Sequence, residues 1–588
     1  MSIITIIQNV ARVAGNRNLY CQYIGRARYL RIARHRIQAV SYTYDEQADR
    51  SIAHSSLAKA EIAVNETVFV NATKSKLKIL SIFGHLGKSH FDVFKPLLEE
   101  LARRGHEVTV VSYFPRTDDA KAKEPLSNYK DISLIDPKIG VYVNIIDLKQ
   151  MNQSSFFHMK QIIMLRLMAD VACNTSLRHP KITELIRSDE KFDVILTENF
   201  NTDCFLGFIH RFKVPYLALS SHQIMPWANN DMGNEDNPSY IPILFLGFIK
   251  PMNFLDRITN TVTLSLYKAA YEYWFRSVDQ VIANEVFGSD LPKLQKLAKQ
   301  SSALLVNTHS SLFGSRPQLP NVVEIGGIHI PSKINSLPKD LTEFLDSAHD
   351  GALFFSLGSM IKSTTMPKEK LDAILKVFSS IPRKVIWKWE TDELPYKMDN
   401  VMTRKWLPQY DVMNHPNIKC YLGHGGLLGI SEAVYVGLPM ILMPIFGDQF
   451  HNSAAVRNRG AGIVLSFYDL NEQSLRHALD ACFNDTSYRE NAQRLSKAYR
   501  DRPASPLETA VWWTEYVARG NGNPYSRSEG ADLPWYQYHL IDVALVLIIV
   551  FTVFIYILFR LIKLLLSLLS AVKGKAGSQA EKKRKKKD

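Results

Sequence analysis

Short apolar runs alternate with amphipathic stretches over most of the chain after residue 75. Residues 77–83 and 107–113 are rich in aliphatic and β-branched side chains, which is typical of buried strands. Residues 96–104 between them have helical periodicity, and Gly105 is a typical helix stop. Because a helix that joins two such strands forms the βαβ unit of a parallel sheet, the pattern predicts this unit here.

The alternation continues in two series, separated by a Pro- and Gly-punctuated connection at residues 316–338. The first series predicts further strands at residues 192–196, 215–220 and 303–307. The second predicts strands at residues 352–357, 384–389, 418–422, 439–444 and 462–466, with helices at 368–379, 429–437, 489–499 and 507–518. The predicted fold class is α/β, with two doubly wound Rossmann-like domains at residues 76–315 and 316–519. Such domains bind ligands in a cleft at the carboxyl ends of their strands.

A hydrophobic segment of a different kind lies near the C-terminus. Residues 543–559 are almost entirely apolar, aromatic residues precede them, and Arg560 and Lys563 follow. This order is typical of one membrane-spanning helix with its basic side in the cytoplasm. We therefore predict a linker, a membrane helix and a basic cytoplasmic tail, at residues 520–539, 540–562 and 563–588.

The formal net charge of +14 is concentrated at the two ends of the chain. Residues 1–44 contain seven Arg and no acidic residue, and residues 560–588 are also strongly basic, so the body between them is nearly neutral. A neutral body disfavours nucleic acid as a partner. Residues 1–75 have no apolar core of the length that a signal sequence needs, so we predict an atypical basic leader without a folded role. A mitochondrial transit peptide is the alternative.

The cysteine pattern excludes some classes of site. The five cysteines are scattered without a CxxC pair, which argues against a zinc module or a disulfide scaffold. The chain also has no Asp-x-Asp triplet that would predict a metal ion on a diphosphate. The sequence therefore predicts neither a metal site nor a cofactor.

The densest group of polar candidates lies within residues 406–452, and each member follows a predicted strand. Gly425 and Gly426 let backbone amides approach a ligand, and a helix that starts there directs its positive end at a phosphate. His424 can donate to the same oxygens, and Glu432 can accept hydrogen bonds from ribose hydroxyls. Each residue alone has a structural explanation, but their combination predicts a nucleotide-sugar site.

This run resembles the signature of the UDP-glycosyltransferases of the GT-B type, and the resemblance extends over about 490 residues, from residue 76 through the membrane helix. Stretches such as Gly326-Gly-Ile-His329 and Phe355-Ser-Leu-Gly-Ser-Met360 are most similar to the insect branch. The resemblance implies a UDP-sugar as donor, with these roles: Trp406 stacks on uracil beside Gln409, Ser359 and His424 hold the diphosphate, Glu432 holds the ribose, and Asp448, Gln449 and Asn452 bind the sugar. Many relatives have a small or amide residue where this chain has Leu427-Leu428, and often Ser where it has Gly429. Because the leucines cannot hydrogen-bond phosphate, backbone amides carry more of that contact.

The resemblance also implies that the N-terminal half binds the acceptor and supplies the general base. His90 stands at the family's position for this histidine, and His85 in the same loop is the weaker candidate. An imidazole that titrates near neutrality suits the deprotonation of a hydroxyl. Glu198 is favoured as the carboxylate that orients the base, Asp203 is the alternative, and a base without a carboxylate partner also stays open.

The implied reaction is an inverting, metal-independent transfer of a hexose, glucose foremost, to the hydroxyl of a small lipophilic acceptor. Apolar stretches at residues 156–167 and 242–254 are candidates for an acceptor pocket, although for each of them a place in the core is favoured. Two rival functions stay open: a UDP-sugar or hydrophobe-binding protein with weakened catalysis, and a transferase acting on lipid or glycan. Whether the chain forms a homo-oligomer also stays open.

Two features bear on the compartment. The lysines at 585–587 resemble a retrieval signal for the endoplasmic reticulum, which is read only from the cytoplasm. N-glycosylation sequons, which require a lumenal body, occur at Asn65, Asn71, Asn152, Asn174 and Asn484. We therefore predict a single-pass protein of the endoplasmic reticulum membrane with a lumenal catalytic body.

Overall fold

The computed structural model describes residues 76–118, 125–137, 139–151, 157–391, 394–396 and 398–584 of the 588-residue chain. Several predictions made from the sequence lie outside these residues. They concern the leader at residues 1–75, the lysines at 585–587, Phe156, and the sequons at Asn65, Asn71 and Asn152.

The first half of the body is a parallel α/β domain. Its strands are β1 (Lys78–Phe83), β2 (Glu107–Ser112), β3 (Tyr129–Ser133), β4 (Ile146–Asp147), β5 (Val194–Glu198), β6 (Tyr216–Ser220), β7 (Ala303–Val306) and β8 (Val322–Glu324). Its helices are α1 (Lys88–Arg103), α2 (Phe157–Leu177), α3 (Pro180–Arg187), α4 (Gly207–Phe212), α5 (Pro226–Met232), α6 (Phe254–Ala270), α7 (Arg276–Phe287), α8 (Leu294–Ala298) and α9 (Ser310–Phe313), with a π-helical turn at Tyr271–Phe275 between α6 and α7. Among the described residues, seven strands form one sheet in the order β3-β2-β1-β5-β6-β7-β8.

The second half repeats the plan with a second sheet. Its strands are β9 (Ala352–Ser356), β10 (Ile361–Lys362), β11 (Lys384–Lys388), β12 (Val401–Arg404), β13 (Ile418–Gly423), β14 (Met440–Leu442) and β15 (Gly462–Val464). Its helices are α10 (Lys339–Asp346), α11 (Lys368–Ser380), α12 (Gln409–Met413), α13 (Leu427–Val436), α14 (Gln449–Asn458), α15 (Glu472–Asn484), α16 (Thr486–Arg500) and α17 (Pro506–Arg519). Over the described residues, the parallel sheet has the order β12-β11-β9-β13-β14-β15. The predicted α/β fold with two doubly wound domains is confirmed.

The sequence pattern missed five described strands: the two-residue strands β4 and β10, which pair with each other, and the longer strands β3, β8 and β12. Each of the three longer strands lies at an edge of its sheet, where one side of the strand has no neighbour and the burial is incomplete. An edge strand therefore lacks the continuous apolar run that marks a central strand. Because β8 belongs to the first sheet, that sheet continues to Glu324, beyond the predicted domain boundary at residue 315.

Helix α1 begins at Lys88, eight residues before the predicted start at residue 96, and Pro96 lies inside it. Its first turns bury Phe91 and Phe94 under the first sheet, and this packing continues through Leu97, Leu98 and Leu101. The buried face therefore outweighs the helix-breaking tendency of proline. As a result, His90 lies in the first turn of a helix and not in a loop.

The end of the body returns to the first domain. Helix α17 was predicted as a closing element of the second domain, but its residues Ala510, Val511 and Val517 are buried in the core of the first sheet. The predicted linker also packs there, because Arg527 Nε donates to the carbonyl of Lys299 at 3.1 Å. A short helix, α18 (Trp535–Tyr538), then leads into the long helix α19 (Ile541–Arg584).

Helix α19 is long and apolar enough over Ile541–Ser578 to cross a membrane. It continues beyond the predicted end of the span at residue 562, since residues 564–572 are again mostly apolar. The predicted basic tail is therefore helical as far as Arg584.

Two disulfide bonds are present within the described part of the chain, Cys173–Cys204 in the first domain and Cys420–Cys482 in the second. The sequence argued only against a disulfide scaffold and did not predict these single bridges. Their partners are 31 and 62 residues apart, so no local spacing indicates the pairing. All four cysteines are buried.

Candidate active site

A cavity of about 510 Å³ lies between the carboxyl ends of the two sheets and is lined by both domains. Contacts across the cleft hold the domains together around it. Strand β4 of the first half pairs with β10 of the second, and Gln161 Oε1 accepts a hydrogen bond from the backbone of Gly447 at 3.1 Å. The cavity therefore lies where ligands bind in doubly wound folds.

On the side of the first domain, His90 and Glu198 form a close pair. His90 Nδ1 lies 2.7 Å from Glu198 Oε1, and the hydroxyl of Ser221 donates to the same oxygen at 2.6 Å. Because an ionised carboxylate only accepts hydrogen bonds, Nδ1 of His90 carries the proton, and Nε2 is left as the acceptor. The helical turn at Lys88 and the end of β5 position the two side chains.

The electrostatics of the pair follow from its burial. Burial disfavours the charge of His90, but attraction to Glu198 and the hydrogen bond to it raise the pKa of His90 above its usual 6.5, with a smaller contribution from Asp448 across the cleft. Burial also opposes the charge of Glu198, yet its interactions with His90 lower the pKa of Glu198 to about 2. The carboxylate is therefore ionised at neutral pH and stabilises the imidazolium form of His90.

Two more histidines flank this pair, and both are kept neutral. His85 accepts a hydrogen bond at Nδ1 from the backbone of Gly87, and burial followed by the charge of His90 lowers its pKa to about 3. Burial and His90 likewise lower the pKa of His222 to about 4. His222 lines the cavity and was not predicted from the sequence. The signal that could have found it is its place just after β6, since polar residues at the carboxyl ends of strands lie near the cleft.

Asp203 lies elsewhere. Its carboxylate accepts hydrogen bonds from Arg276 Nε at 2.6 Å and from the hydroxyl of Tyr271 at 2.9 Å, in a buried network that includes Asp231. The alternative that Asp203 orients His90 is therefore wrong in this structure, because its oxygens already serve the guanidinium of Arg276. Asp203 follows the last residue of β5 by five positions, and there its side chain lies buried in the core.

On the side of the second domain, the predicted nucleotide residues come together. Trp406 lines the cavity with about half of its surface exposed, which leaves an aromatic face for a base. Gln409 Nε2 donates to Glu432 Oε2 at 2.5 Å, so the amide holds the carboxylate in place. A carboxylate so positioned beside an aromatic face can accept hydrogen bonds from the two hydroxyls of a ribose.

The residues predicted to form a phosphate cradle lie at the start of α13. Gly425 has a φ of +88°, and a Cβ there would lie 2.5 Å from Ser453 Oγ. A Cβ on Gly426 would lie 2.4 Å from His424 Nε2, so both positions require glycine. Burial lowers the pKa of His424 to about 4, and this side chain therefore offers a hydrogen bond and not a charge. Ser359 also lines this end of the cavity.

The departure from the family at Gly429 has a structural reason. A Cβ at Gly429 would lie 2.6 Å from the hydroxyl of Tyr421. The buried ring of Tyr421 therefore occupies the space that a serine side chain would take, and its hydroxyl lines the cavity. Tyr421 lies within the predicted strand at residues 418–422, and its position in the sequence did not mark it as a site residue.

Asp448 and Gln449, at the start of α14, line the cavity, whereas Asn452 on the following turn does not. Asn452 Nδ2 donates to Asp448 Oδ2 at 2.8 Å and to the carbonyl of Gly425 at 3.1 Å. Gln449 Oε1 accepts from the backbone of Ile445 at 2.9 Å, so the amide also shapes the preceding loop. Burial raises the pKa of Asp448, whereas Asn452 and the charge of His90 lower it. Asn452 is fully buried and holds Asp448 in place.

The remaining walls divide into an apolar and a basic part. Methionine, leucine and phenylalanine side chains line the cavity beside His90, including Met164, Met168, Leu244 and Phe245. Both apolar stretches of the sequence thus contribute to the cavity in part. Lys388, the last residue of β11, also lines the cavity. It was not predicted as a site residue, although it lies at the carboxyl end of a strand as the predicted site residues do.

The family model described as "UDP-glucoronosyl and UDP-glucosyl transferase" matches residues 78–576. A UDP-glycosyltransferase of Dactylopius coccus, UGT5, is 38% identical over 82% of this chain and 90% of its own length. UDP-glucosyltransferase 2 of the same organism is 35% identical over 81% and 91%, and human UDP-glucuronosyltransferase 2B15 is 31% identical over 78% and 88%.

The crystal structure of CalG4, the calicheamicin glycosyltransferase, aligns with a TM-score of 0.51 at 19% identity over 76% of this chain and 99% of that one. This likeness shows the shared glycosyltransferase fold. The family match covers both sheets, the cavity between them and most of the C-terminal helix. The chain therefore belongs to the UDP-glycosyltransferase family.

Proposed function

We propose that this enzyme transfers a hexose, glucose foremost, from its UDP form to the hydroxyl of a small lipophilic acceptor, with inversion at the anomeric carbon. The observation that carries the proposal is the His90–Glu198 pair at 2.7 Å, which faces the same cavity as Trp406, Glu432 and Asp448. A base and a donor site on opposite walls suit a direct displacement between two bound substrates.

Each part of the site then has a chemical role. His90 Nε2 accepts the proton of the acceptor hydroxyl while that oxygen forms its bond to the anomeric carbon, and Glu198 stabilises the resulting imidazolium. The bond from the anomeric carbon to the diphosphate oxygen breaks on the opposite face, so an α-linked donor gives a β-glycoside. The amides at the start of α13, Lys388 and His424 meet the negative charge that develops on the departing UDP.

The charges of the cavity support glucose over glucuronate as the donor sugar. Among the described residues that line the cavity, Lys388 is the one Lys or Arg, and its Nζ lies 3.4 Å from Glu390 Oε1. A glucuronate carboxylate near Asp448 would find no cation of its own and would be close to a like charge. The relative named UDP-glucosyltransferase 2 agrees with this choice. The apolar wall at Met164, Met168 and Phe245 supports a lipophilic acceptor.

The test combines a variant of the base with a donor panel. Full-length enzyme is assayed with UDP-glucose, UDP-galactose and UDP-glucuronate and mixed phenolic acceptors, and the product configuration is determined by proton NMR. His90→Gln is expected to lower turnover about 10²-fold or more while UDP still binds. His210→Gln, at a partly exposed histidine outside the cavity, is the matched control.

An α-glycoside product, or wild-type turnover in His90→Gln, would contradict the mechanism. A preference for UDP-glucuronate would contradict the donor assignment alone. We further expect activity to survive a metal chelator, because the amides at α13 and Lys388 already meet the diphosphate charge. Loss of activity on chelation that added Mg²⁺ restores would overturn that part.

The proposed location is the endoplasmic reticulum membrane, with one span, a lumenal body and a cytoplasmic tail. The two disulfides support an oxidising compartment. Asn484, in a sequon at the end of α15, is exposed and accessible to glycosylation. We expect glycosidase treatment to increase gel mobility, with a smaller shift in Asn484→Gln. An unchanged mobility together with mitochondrial fractionation would favour the transit-peptide alternative.

A further inference from the structure

Helix α6 of the first domain presents an apolar face to solvent. Phe254, Leu255, Val262, Leu266 and Tyr273, the last in the π-helical turn that follows α6, are each more than half exposed. The other exposed side chains of Phe254–Ala270, a range that the structure describes completely, are neutral. A surface helix of a soluble domain normally carries charged residues on this face, so the pattern calls for a partner.

The charged residues of this helix are used within the protein. Asp256 caps the helix through the backbone of Asn253, and Arg257 donates to the carbonyl of Met252. Lys268 Nζ lies 2.8 Å from Asp236 Oδ1, which directs its charge away from the exposed face. The apolar face of α6 is therefore not a by-product of a generally apolar helix.

The apolar surface continues onto the neighbouring helices. Helix α2 packs along α7 through Arg166 and Asp279, and it exposes Ile163, Leu167 and Val171 at successive turns. Trp274 and Val281 are exposed beside α2. Helix α7 packs against α2, and the turn at Tyr271–Phe275 joins α7 to α6, so we call the exposed apolar side chains of α2, α6, α7 and this turn together the apolar platform.

The membrane helix begins next to this platform. The segment before α19 packs on the first domain, since a Cβ at Gly233 would lie 2.5 Å from the backbone nitrogen of Ala531. Tyr538 packs on the same segment, since a Cβ at Gly530 would lie 3.0 Å from Tyr538 Cε2, and burial followed by the charges of Asp236 and Glu235 raises the pKa of Tyr538. Helix α19 starts at Ile541, three residues later, so the Lys268 end of α6 is held close to the point where the chain enters the bilayer.

We propose that the apolar platform rests on the bilayer that holds α19, with its aromatic and aliphatic side chains inserted at the level of the headgroups. Phenylalanine, tyrosine, tryptophan and leucine on a helix that lies flat in the interface are the residues that favour this environment. A packed connection with only two residues between Tyr538 and Ile541 leaves the domain little freedom to move away from the lipid. Met164 and Met168 line the cavity from the same helix α2 that exposes Leu167 outward, so docking would also bring the acceptor side of the cavity near the membrane.

The test places a probe on the platform of the full-length chain. In a Cys21→Ser background, where the other four cysteines form the disulfides, Val262→Cys is labelled with an environment-sensitive fluorophore. The labelled protein is reconstituted in lipid nanodiscs that contain one chain each, with and without spin-labelled phosphatidylcholine. Tyr396→Cys, an equally exposed apolar position of the second domain, is the matched control.

The probe at residue 262 is expected to shift its emission to shorter wavelengths and to be quenched at least twofold by the spin-labelled lipid, whereas the probe at residue 396 stays unquenched. Adding Leu255→Glu and Leu266→Glu should reduce the quenching at residue 262 to the control level without changing the unfolding temperature. Equal quenching at the two probe positions overturns the proposal. Quenching that survives both charged substitutions also overturns the proposal. A spectral shift that is seen only in discs with two chains would make a second copy the partner, and it would overturn the proposal as well.

Discussion

The two halves of the cavity differ in how their residues are arranged along the chain. The donor wall takes Trp406, Gln409, His424, Glu432 and Asp448 from a single stretch of 43 residues. His90, the proposed base, lies in the first turn of α1, its partner Glu198 ends β5 108 residues later, and Ser221 follows another 23 residues later. Local motifs therefore define the donor wall, whereas the acceptor wall depends on which strands the sheet places side by side.

The largest contrast lies between the two acidic residues near the end of β5. Glu198→Ala should lower turnover about 10²-fold or more, because the base loses the carboxylate that orients it and stabilises its charged form. Asp203→Ala should instead lower the free energy of unfolding by about 3–5 kcal/mol, because it removes one anion from the buried Arg276. Steady-state kinetics and thermal unfolding of both variants measure this separation.

If Asp203→Ala kept native stability and lost as much turnover as Glu198→Ala, the assignment of the two roles would be reversed. Arg276 also contacts Asp231 and Glu272, so Asp203→Asn serves as a milder variant that keeps the packing.

Substitutions in the donor wall should weaken ligand binding to different degrees. Trp406→Ala and Glu432→Ala should weaken the binding of both UDP and UDP-glucose about 10- to 100-fold, which corresponds to losing a stacked ring or a charge-assisted hydrogen bond. Asp448→Ala should leave UDP binding unchanged and weaken only the sugar nucleotide. Calorimetric titration of the three variants separates the patterns, and an equal loss of both ligands in Asp448→Ala would refute the assignment of that residue to the sugar.

The pH dependence of activity reports on His90 and Glu198, on the first-domain side of the cavity. His90 must be neutral to accept a proton, and Glu198 raises its pKa, so activity falls as the pH drops through that raised value. Removing the negative charge in Glu198→Gln should move the acidic limb of kcat/KM to lower pH, while the plateau rate decreases. A limb that stays in place would show that another group controls it, and Asp448→Asn is the control for the weaker charge across the cleft.

The smallest effect is expected at the departure from the family pattern. Gly429→Ser should weaken UDP binding about three- to tenfold, because the new Cβ would lie 2.6 Å from the Tyr421 hydroxyl. In a Tyr421→Phe background the conflict disappears, and the loss from Gly429→Ser should be largely relieved. A double-mutant cycle on UDP affinity gives the coupling, and strictly additive effects would show that Tyr421 is not the reason for the glycine.

Central strands were found within a residue or two of their predicted positions, because burial on both faces requires a continuous apolar run. The edge strands β3, β8 and β12 were missed for the converse reason. The start of α1 was also missed, since the sequence around Pro96 opposes a helix and only the packing of Phe91 and Phe94 under the sheet overcomes that tendency. Local preference and tertiary packing disagree there, and packing prevails.

The sequence by itself determined the two-domain α/β plan, the donor motif and the apolar C-terminal helix, since each depends on residues close together in the chain. The tertiary structure alone decided that Glu198 and not Asp203 meets His90, that Tyr421 fills the space beside Gly429, and that α17 covers the first sheet. It also decided the pairing of the cysteines and the position of the apolar platform near the start of α19. Apart from Tyr421 and Gly429, which are eight residues apart, these features depend on contacts between segments far apart in sequence, and such contacts are fixed only when the sheets order their strands and bury their faces together.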